Sequence, residues 1–300
     1  MRTLFLGGDV LTMTGESPEA VLVEDGKIIR LGDREALVKE FPDAEVRDLD
    51  GRTLMPGFVD PHGHFVAYAM SLLQLSLRDV RDMDTLLSEL TERASETPEG
   101  SWVVARDYDV TRLAEQRDPT LEELDSACPG RPLCIHHVSG HLGLFNSAAM
   151  RDLGAEAYRL EEQPFITAIQ KIPAGSPEDI HRVMLEAQNR FASYGITTAQ
   201  EALIKREMVP LVKPLMTSDE FWLDVMGFVD AAHREEVMGM LGCPAGEWRG
   251  HLKIKGSKIL LDGSPQGGTA WMERPYEDGH NGSATAGPED IRHWLRESAE

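Results

Sequence analysis

His62 and His64 are the residues of this chain whose type and spacing most directly offer chemistry. They close the stretch Leu54-Met55-Pro56-Gly57-Phe58-Val59-Asp60-Pro61-His62-Gly63-His64, which reads as a short buried strand running into a site. Side chains two apart on a strand leave the same face, so the two imidazoles are expected to project together from its C-terminal end. Imidazoles held in that way suit a divalent metal such as zinc. The alternative is a pair of surface loop histidines without a metal. Lys258 is the second anchor, since it heads the apolar run Ile259-Leu260-Leu261, where a buried ammonium is costly unless something compensates it. Otherwise that lysine snorkels to a rim.

Other polar residues stand where elements end. His141, in Ser139-Gly140-His141, follows a predicted strand that carries His136 and His137. Those two alternate across the strand, so at most one can face a site, and ordinary hydrogen-bonded packing is expected of either. Tyr108 and Asp109 follow a strand that starts near Ser101. Asp262, Gly263 and Ser264 form a turn in which the N–H groups of Gly263 and Ser264 could meet a carbonyl, although a plain strand-end turn also accounts for them. Glu201 ends a further strand and reads either as functional or as a rim carboxylate. His233, His251, His280 and His293 have no usable spacing.

The elements that must position these residues fall into two regions. Up to about Arg52, short β signals at 3–6, 10–13, 20–23, 28–31 and 46–51 predict a small antiparallel subdomain with a hairpin at Glu24-Asp25-Gly26-Lys27 and a short helix capped by Asp33. Helices are then expected over 65–77, 83–94 (Met83, Leu86, Leu87 and Leu90 on one face), from Thr120, over 180–192 and from Glu289. Strands are expected at 101–106, 132–138, 195–201, 221–229 and 256–264. Strands alternating with helices imply a parallel α/β arrangement with right-handed crossovers.

Pro56-Gly57-Phe58-Val59-Asp60-Pro61-His62-Gly63-His64 resembles the strand-one signature of the amidohydrolase superfamily, and the region before it resembles that superfamily's N-terminal β-subdomain. Trp102-Val103-Val104-Ala105-Arg106-Asp107-Tyr108-Asp109, Arg131-Pro132, Gly140-His141 and Asn146-Ser147-Ala148-Ala149 are similar to one branch, amidohydrolase family 3, which includes N-substituted formamide deformylase-like enzymes. The resemblance implies an α/β fold: a metal-dependent-hydrolase (β/α)8 barrel over 56–300, of which strands one to four are present, with a large insertion at about 65–190. It also implies an N-terminal β-sandwich subdomain over 1–55, half of a composite sandwich.

The same resemblance implies that His62, His64 and Lys258 bind one or two divalent ions, zinc above all, with Lys258 carboxylated and bridging. His141, Asp109, Asp262 and Ser264 would contact substrate. The implied reaction is hydrolysis of an amide, N-formyl or N-acyl C–N bond of a small molecule by a metal-activated water. The family's base, an aspartate on strand eight, and two further metal histidines fall beyond residue 300, so these residues are expected to be part of a longer enzyme and inactive alone. The rivals are a cyclic amidohydrolase or deaminase, which the long insertion disfavours, and a non-catalytic scaffold or assembly protein of the same fold.

Composition narrows the field further. A chain of 300 residues, 41% hydrophobic and 27% charged, can bury a large core. Its formal charge of −21 argues against nucleic-acid and anionic-membrane partners. No run approaches the ~18 apolar residues of a membrane span, and the N-terminus is too short and too soon acidic for a signal peptide. Cys128, Cys134 and Cys243 lack pairing spacing, which suits free thiols in a cytoplasmic protein. The expected partner is a small-molecule substrate, and a homodimer is compatible with the chain.

Overall fold

The computed structural model describes residues 1–300 apart from 264, 266, 267 and 300, and its contacts group the chain into two units. The first comprises residues 1–59 with 195–198. It holds β1 (Arg2–Leu6), β2 (Asp9–Val10), β3 (Ala20–Glu24), β4 (Lys27–Gly32), α1 (Arg34–Glu40), β5 (Glu45–Asp48), β6 (Thr53–Leu54) and β7 (Phe58–Val59). Alternation along the strands buries Leu4, Leu6, Ala20 and Leu22 on one face, against Leu37 of α1. Asp33 caps α1 by accepting the Ala36 N–H at 2.9 Å.

The expected antiparallel subdomain is a mixed sheet, ordered β4-β3-β1-β5. The link from β4 to β5 runs through α1, and such a crossover returns the chain in its original direction, so β5 pairs parallel with β1. The single buried strand expected at 53–59 is two short pieces: β6 pairs with β2, while Phe58 and Val59 pair with Ile196 and Thr198. Pro56 has no N–H to offer a ladder. Gly57 lies so close to Thr197 that a Cβ there would fall 2.3 Å from its side chain.

The second unit comprises residues 60–194 and 199–300. Its first part runs α2 (Phe65–Ser71), β8 (Leu75–Ser76), α3 (Met83–Glu96), β9 (Val103–Tyr108), α4 (Leu121–Ala127), β10 (Leu133–His137), β11 (Leu142–Phe145), α5 (Ser147–Leu153), β12 (Arg159–Glu161), α6 (Glu162–Ile169) and α7 (Pro177–Ser193). The helix expected over 65–77 stops at Ser71, and Leu75–Ser76 becomes a strand paired parallel with β9. These strands form a sheet ordered β12-β11-β10-β9-β8. Leu86, Leu90 and Leu124 pack with Val103, Ala105, Leu133 and Ile135 in one cluster, and Cys134, Phe145 and Phe165 belong to another.

The remainder holds β13 (Ile196–Ile204), whose first residues belong to the first unit, α8 (Val209–Val212), α9 (Pro214–Thr217), β14 (Asp224–Asp230), α10 (Arg234–Leu241), β15 (Trp248–Arg249), β16 (Leu252–Lys258) and α11 (Pro288–Ala299). Within this unit the strand order is β15-β16-β14-β13, with β14 and β16 parallel. Ala199, Ile204, Val225, Val229, Leu252 and Ile254 share a core with Phe65, Val66, Met184 and Ala187 of α2 and α7.

The strand expected at 256–264 lies earlier, because the buried alternation is Leu252, Ile254 rather than the run after Lys258. Leu260 and Leu261 are 42% and 49% exposed. Lys258 is therefore the last, half-buried residue of its strand, and no buried apolar run follows it.

Candidate metal site

Asp60 turns the chain between β7 and α2 by accepting the His62 N–H on Oδ1 at 3.2 Å. Gly63 packs closely on the same turn, since a Cβ there would fall 2.6 Å from Asp60 Oδ2 and push that carboxylate aside. His62 and His64 thus sit in a turn after the strand, not on its face as the spacing suggested. Their rings nonetheless come together, 6.3 Å between centroids and 70° apart in plane. The His62 ring has no hydrogen-bond partner among the described residues.

Glu201 on β13 anchors this turn. It forms an isolated bridge with His64, and the Ala202 N–H donates to the Gly63 carbonyl at 2.9 Å. Its side chain is fully buried, with Oε1 3.0 Å from His64 Nδ1. Oε2 accepts the Val66 N–H at 2.8 Å, and Oε1 also accepts the Leu203 N–H at 3.2 Å. The one sequence signal for it is its place among Ala199, Ala202, Leu203 and Ile204: a carboxylate inside an apolar strand must find donors.

Lys258 stands in register with Asp230, and each ends its strand. Asp230 is occupied elsewhere: Oδ1 accepts the Ala232 N–H at 3.2 Å, and Oδ2 lies 2.9 Å from His233 Nδ1. Lys258 makes no salt bridge among the described residues. Among those residues no three His, Cys, Asp or Glu side chains group closely enough to hold a metal ion by themselves.

The expected substrate contacts are organised locally. Asp109 Oδ1 accepts the Thr111 hydroxyl at 2.6 Å and the Thr111 N–H at 3.0 Å, while Oδ2 lies 3.3 Å from Arg112. The Thr111 hydroxyl holds its carboxyl below the usual carboxylate range. His141 is half-buried, with Nδ1 3.1 Å from Glu162 Oε2 and its N–H on Ser139 Oγ at 3.2 Å. Glu162 sits at a left-handed φ of 48°, unusual for a side-chain-bearing residue. Asp262 Oδ2 accepts the Trp271 N–H at 2.9 Å, and its backbone bridges to Ala284. Ser264 lies outside the described residues. No hydrogen bond or ion pair joins Asp109, His141 or Asp262 to the histidine pair.

His136 departs from the hydrogen-bonded packing expected of it. Its ring meets the Phe165 edge at 5.4 Å between centroids, and its Nε2 is buried with no partner. Burial pushes its pKa down. Tyr108, also buried, donates its hydroxyl to Asp118 at 2.7 Å, and burial pushes its pKa up.

The α/β fold of this chain is that of solved metal-dependent hydrolases. An uncharacterized metal-dependent hydrolase from Pyrococcus furiosus has this fold, with a TM-score of 0.81 at 20% identity over all of this chain and 65% of its own. Residues 45–300 match the amidohydrolase family, and the chain belongs to it. It is 34% identical over 162 residues to the N-substituted formamide deformylase of Arthrobacter pascens, covering 53% of this chain and 30% of that protein. It is 27% identical over 304 residues to YtcJ of Bacillus subtilis, a protein named as an amidohydrolase, covering 93% of this chain and 57% of that one. The chain thus spans little more than half the length of the second relative and less than a third of the first.

Proposed function

We propose that this chain carries part of the active site of a metal-dependent amidohydrolase that cleaves the C–N bond of a small amide, N-formyl or N-acyl substrate. The observation that carries this reading is the paired imidazoles of His62 and His64, 6.3 Å apart, the first with no hydrogen bond to its ring among the described residues. Membership of the amidohydrolase family and similarity to an N-substituted formamide deformylase support it.

In this reading β7, β13, β14 and β16 are the first four strands of a (β/α)8 barrel over 56–300, with residues of about 65–190 inserted after the first. Residues 1–55 form the β-sandwich subdomain. Ligands then project from the C-terminal strand ends, as barrel enzymes place them.

His62, His64 and Lys258 would hold a divalent cation, zinc in this proposal, in one or two copies. When bound, it supplies Lewis-acid polarisation of the substrate carbonyl and a water whose pKa is lowered toward about 7. Lys258, with no salt bridge among the described residues, would add its neutral amine to carbon dioxide with loss of one proton. The product is a carbamate with two donor oxygens. His141, its Nδ1 engaged by Glu162, keeps Nε2 for a substrate oxygen or nitrogen. Asp262 and Ser264 would contact substrate, Gly263 and Ser264 would bring backbone N–H groups to its carbonyl, and Asp109 would shape the mouth. The setting we propose is cytoplasmic, with a homodimer compatible with it.

The test is zinc content of the purified chain after dialysis, together with formate release from a panel of N-substituted formamides by the chain extended with the family's remaining barrel strands. Retained zinc in the first and released formate in the second are expected. A folded protein that holds no zinc would overturn the proposal and favour a scaffold.

A further inference from the structure

We propose that Glu201 is a positioning residue that selects which nitrogen of His64 is presented outward. This rests on the reading of His64 as a ligand and adds a residue to it. Three groups converge on the Glu201 carboxylate: the Val66 N–H, the Leu203 N–H and His64 Nδ1. Two of them are backbone donors, which have no alternative role. A carboxylate that already receives two N–H groups is an acceptor toward the third, so His64 Nδ1 carries the proton and Nε2 carries the lone pair. Histidines that ligate metals are commonly fixed through their other nitrogen in this way.

The environment makes the restraint stiff. Glu201 is fully buried, so water does not compete for its oxygens, whereas the His64 side chain is 47% exposed and keeps its outer edge open. The two N–H groups tie the carboxylate both to its own strand and to the first turn of α2, so its oxygens cannot rotate away from the imidazole without abandoning a backbone donor. The bridge between His64 and Glu201 sets the two backbones side by side. The geometry therefore determines tautomer and ring orientation together, before any ion arrives.

The experiment is a long-range ¹⁵N–¹H correlation spectrum of the histidine side chains in the 300-residue chain, at a pH where the imidazoles are neutral, with His64 assigned by His64→Gln. The His64 ring is expected as the Nδ1–H tautomer alone. In Glu201→Gln one side-chain oxygen becomes an NH2 donor, so the set of three donors cannot all be accepted, and a mixture of tautomers is expected. Zn²⁺ titrated alone should bind this variant about 10- to 100-fold more weakly than the parent chain. An Nε2–H tautomer in the parent chain, or unchanged tautomer and Zn²⁺ affinity in a folded Glu201→Gln, would overturn the proposal. Where that variant does not fold, the parent spectrum decides by itself. A parent chain with the Nδ1–H tautomer that takes up no Zn²⁺ would instead remove the metal reading and leave the positioning role standing.

Discussion

Glu201 and His64 stand 137 residues apart in sequence and meet at 3.0 Å between Oε1 and Nδ1. The contact closes the turn that carries both candidate ligand histidines onto the strand beside it. It also gives the N-terminus of α2 an acceptor, because the residue before that helix supplies no side-chain cap of its own. A single buried carboxylate thus links the candidate site to the folding of α2.

Replacing His62 removes a ring that nothing else in the described chain holds in place. His62→Ala should lower zinc retention to background while leaving the circular-dichroism spectrum and unfolding midpoint close to the parent's, since the side chain is exposed. Zinc analysis after dialysis checks this. Full retention would show that the ion sits elsewhere.

Lys258 tests the carbamate. In the parent protein, ¹³C-labelled bicarbonate should give a carbamate resonance and raise zinc uptake. Lys258→Arg keeps the positive charge but cannot be carboxylated, so resonance and bicarbonate dependence should both vanish. Equal uptake by the two proteins at all bicarbonate levels would exclude a role for the carbamate.

His136 offers a pH test of buried polarity. Burial lowers its folded pKa below the unfolded value of 6.5, so the unfolded chain takes up a proton that the folded chain resists. Its contribution is present above 6.5 and is lost as pH falls from there through the folded value. His136→Leu removes this dependence along with a buried nitrogen that has no hydrogen-bond partner among the described residues. Urea midpoints at pH 7.5 and 5.5 should show a smaller loss on acidification in the variant. A gain of about 1 kcal/mol is expected at the lower pH.

Glu123 acts in the same direction at lower pH. Its hydrogen bonds to Arg117, at 2.7 and 2.8 Å, and to the Thr120 N–H hold its pKa at about 2 against an ordinary 4.5. Stability from this carboxylate is present above 4.5 and lost as pH falls through about 2. Solvent around Arg117 limits it to about 1 kcal/mol. Glu123→Gln should therefore be less stable than the parent at pH 6 and match it near pH 2 in thermal unfolding. A constant gap between the two curves would assign the loss to the capping box rather than to charge.

What could be read from residues alone was whatever depends on neighbours in the chain. The cap at Asp33 and the amphipathic run of α7 were legible, because a cap is satisfied within three residues and a helical face repeats within one turn. So was the histidine pair, two residues apart across one glycine. The parallel pairing of β5, the early end of the strand that carries Lys258, and the burial of Glu201 were not. Each depends on which strand lies alongside, and strand pairing is set by distant segments whose approach leaves no local mark. Glu201 differs from a rim carboxylate because α2 and the His64 turn, more than 130 residues earlier in the chain, bring it donors beside that of its own strand.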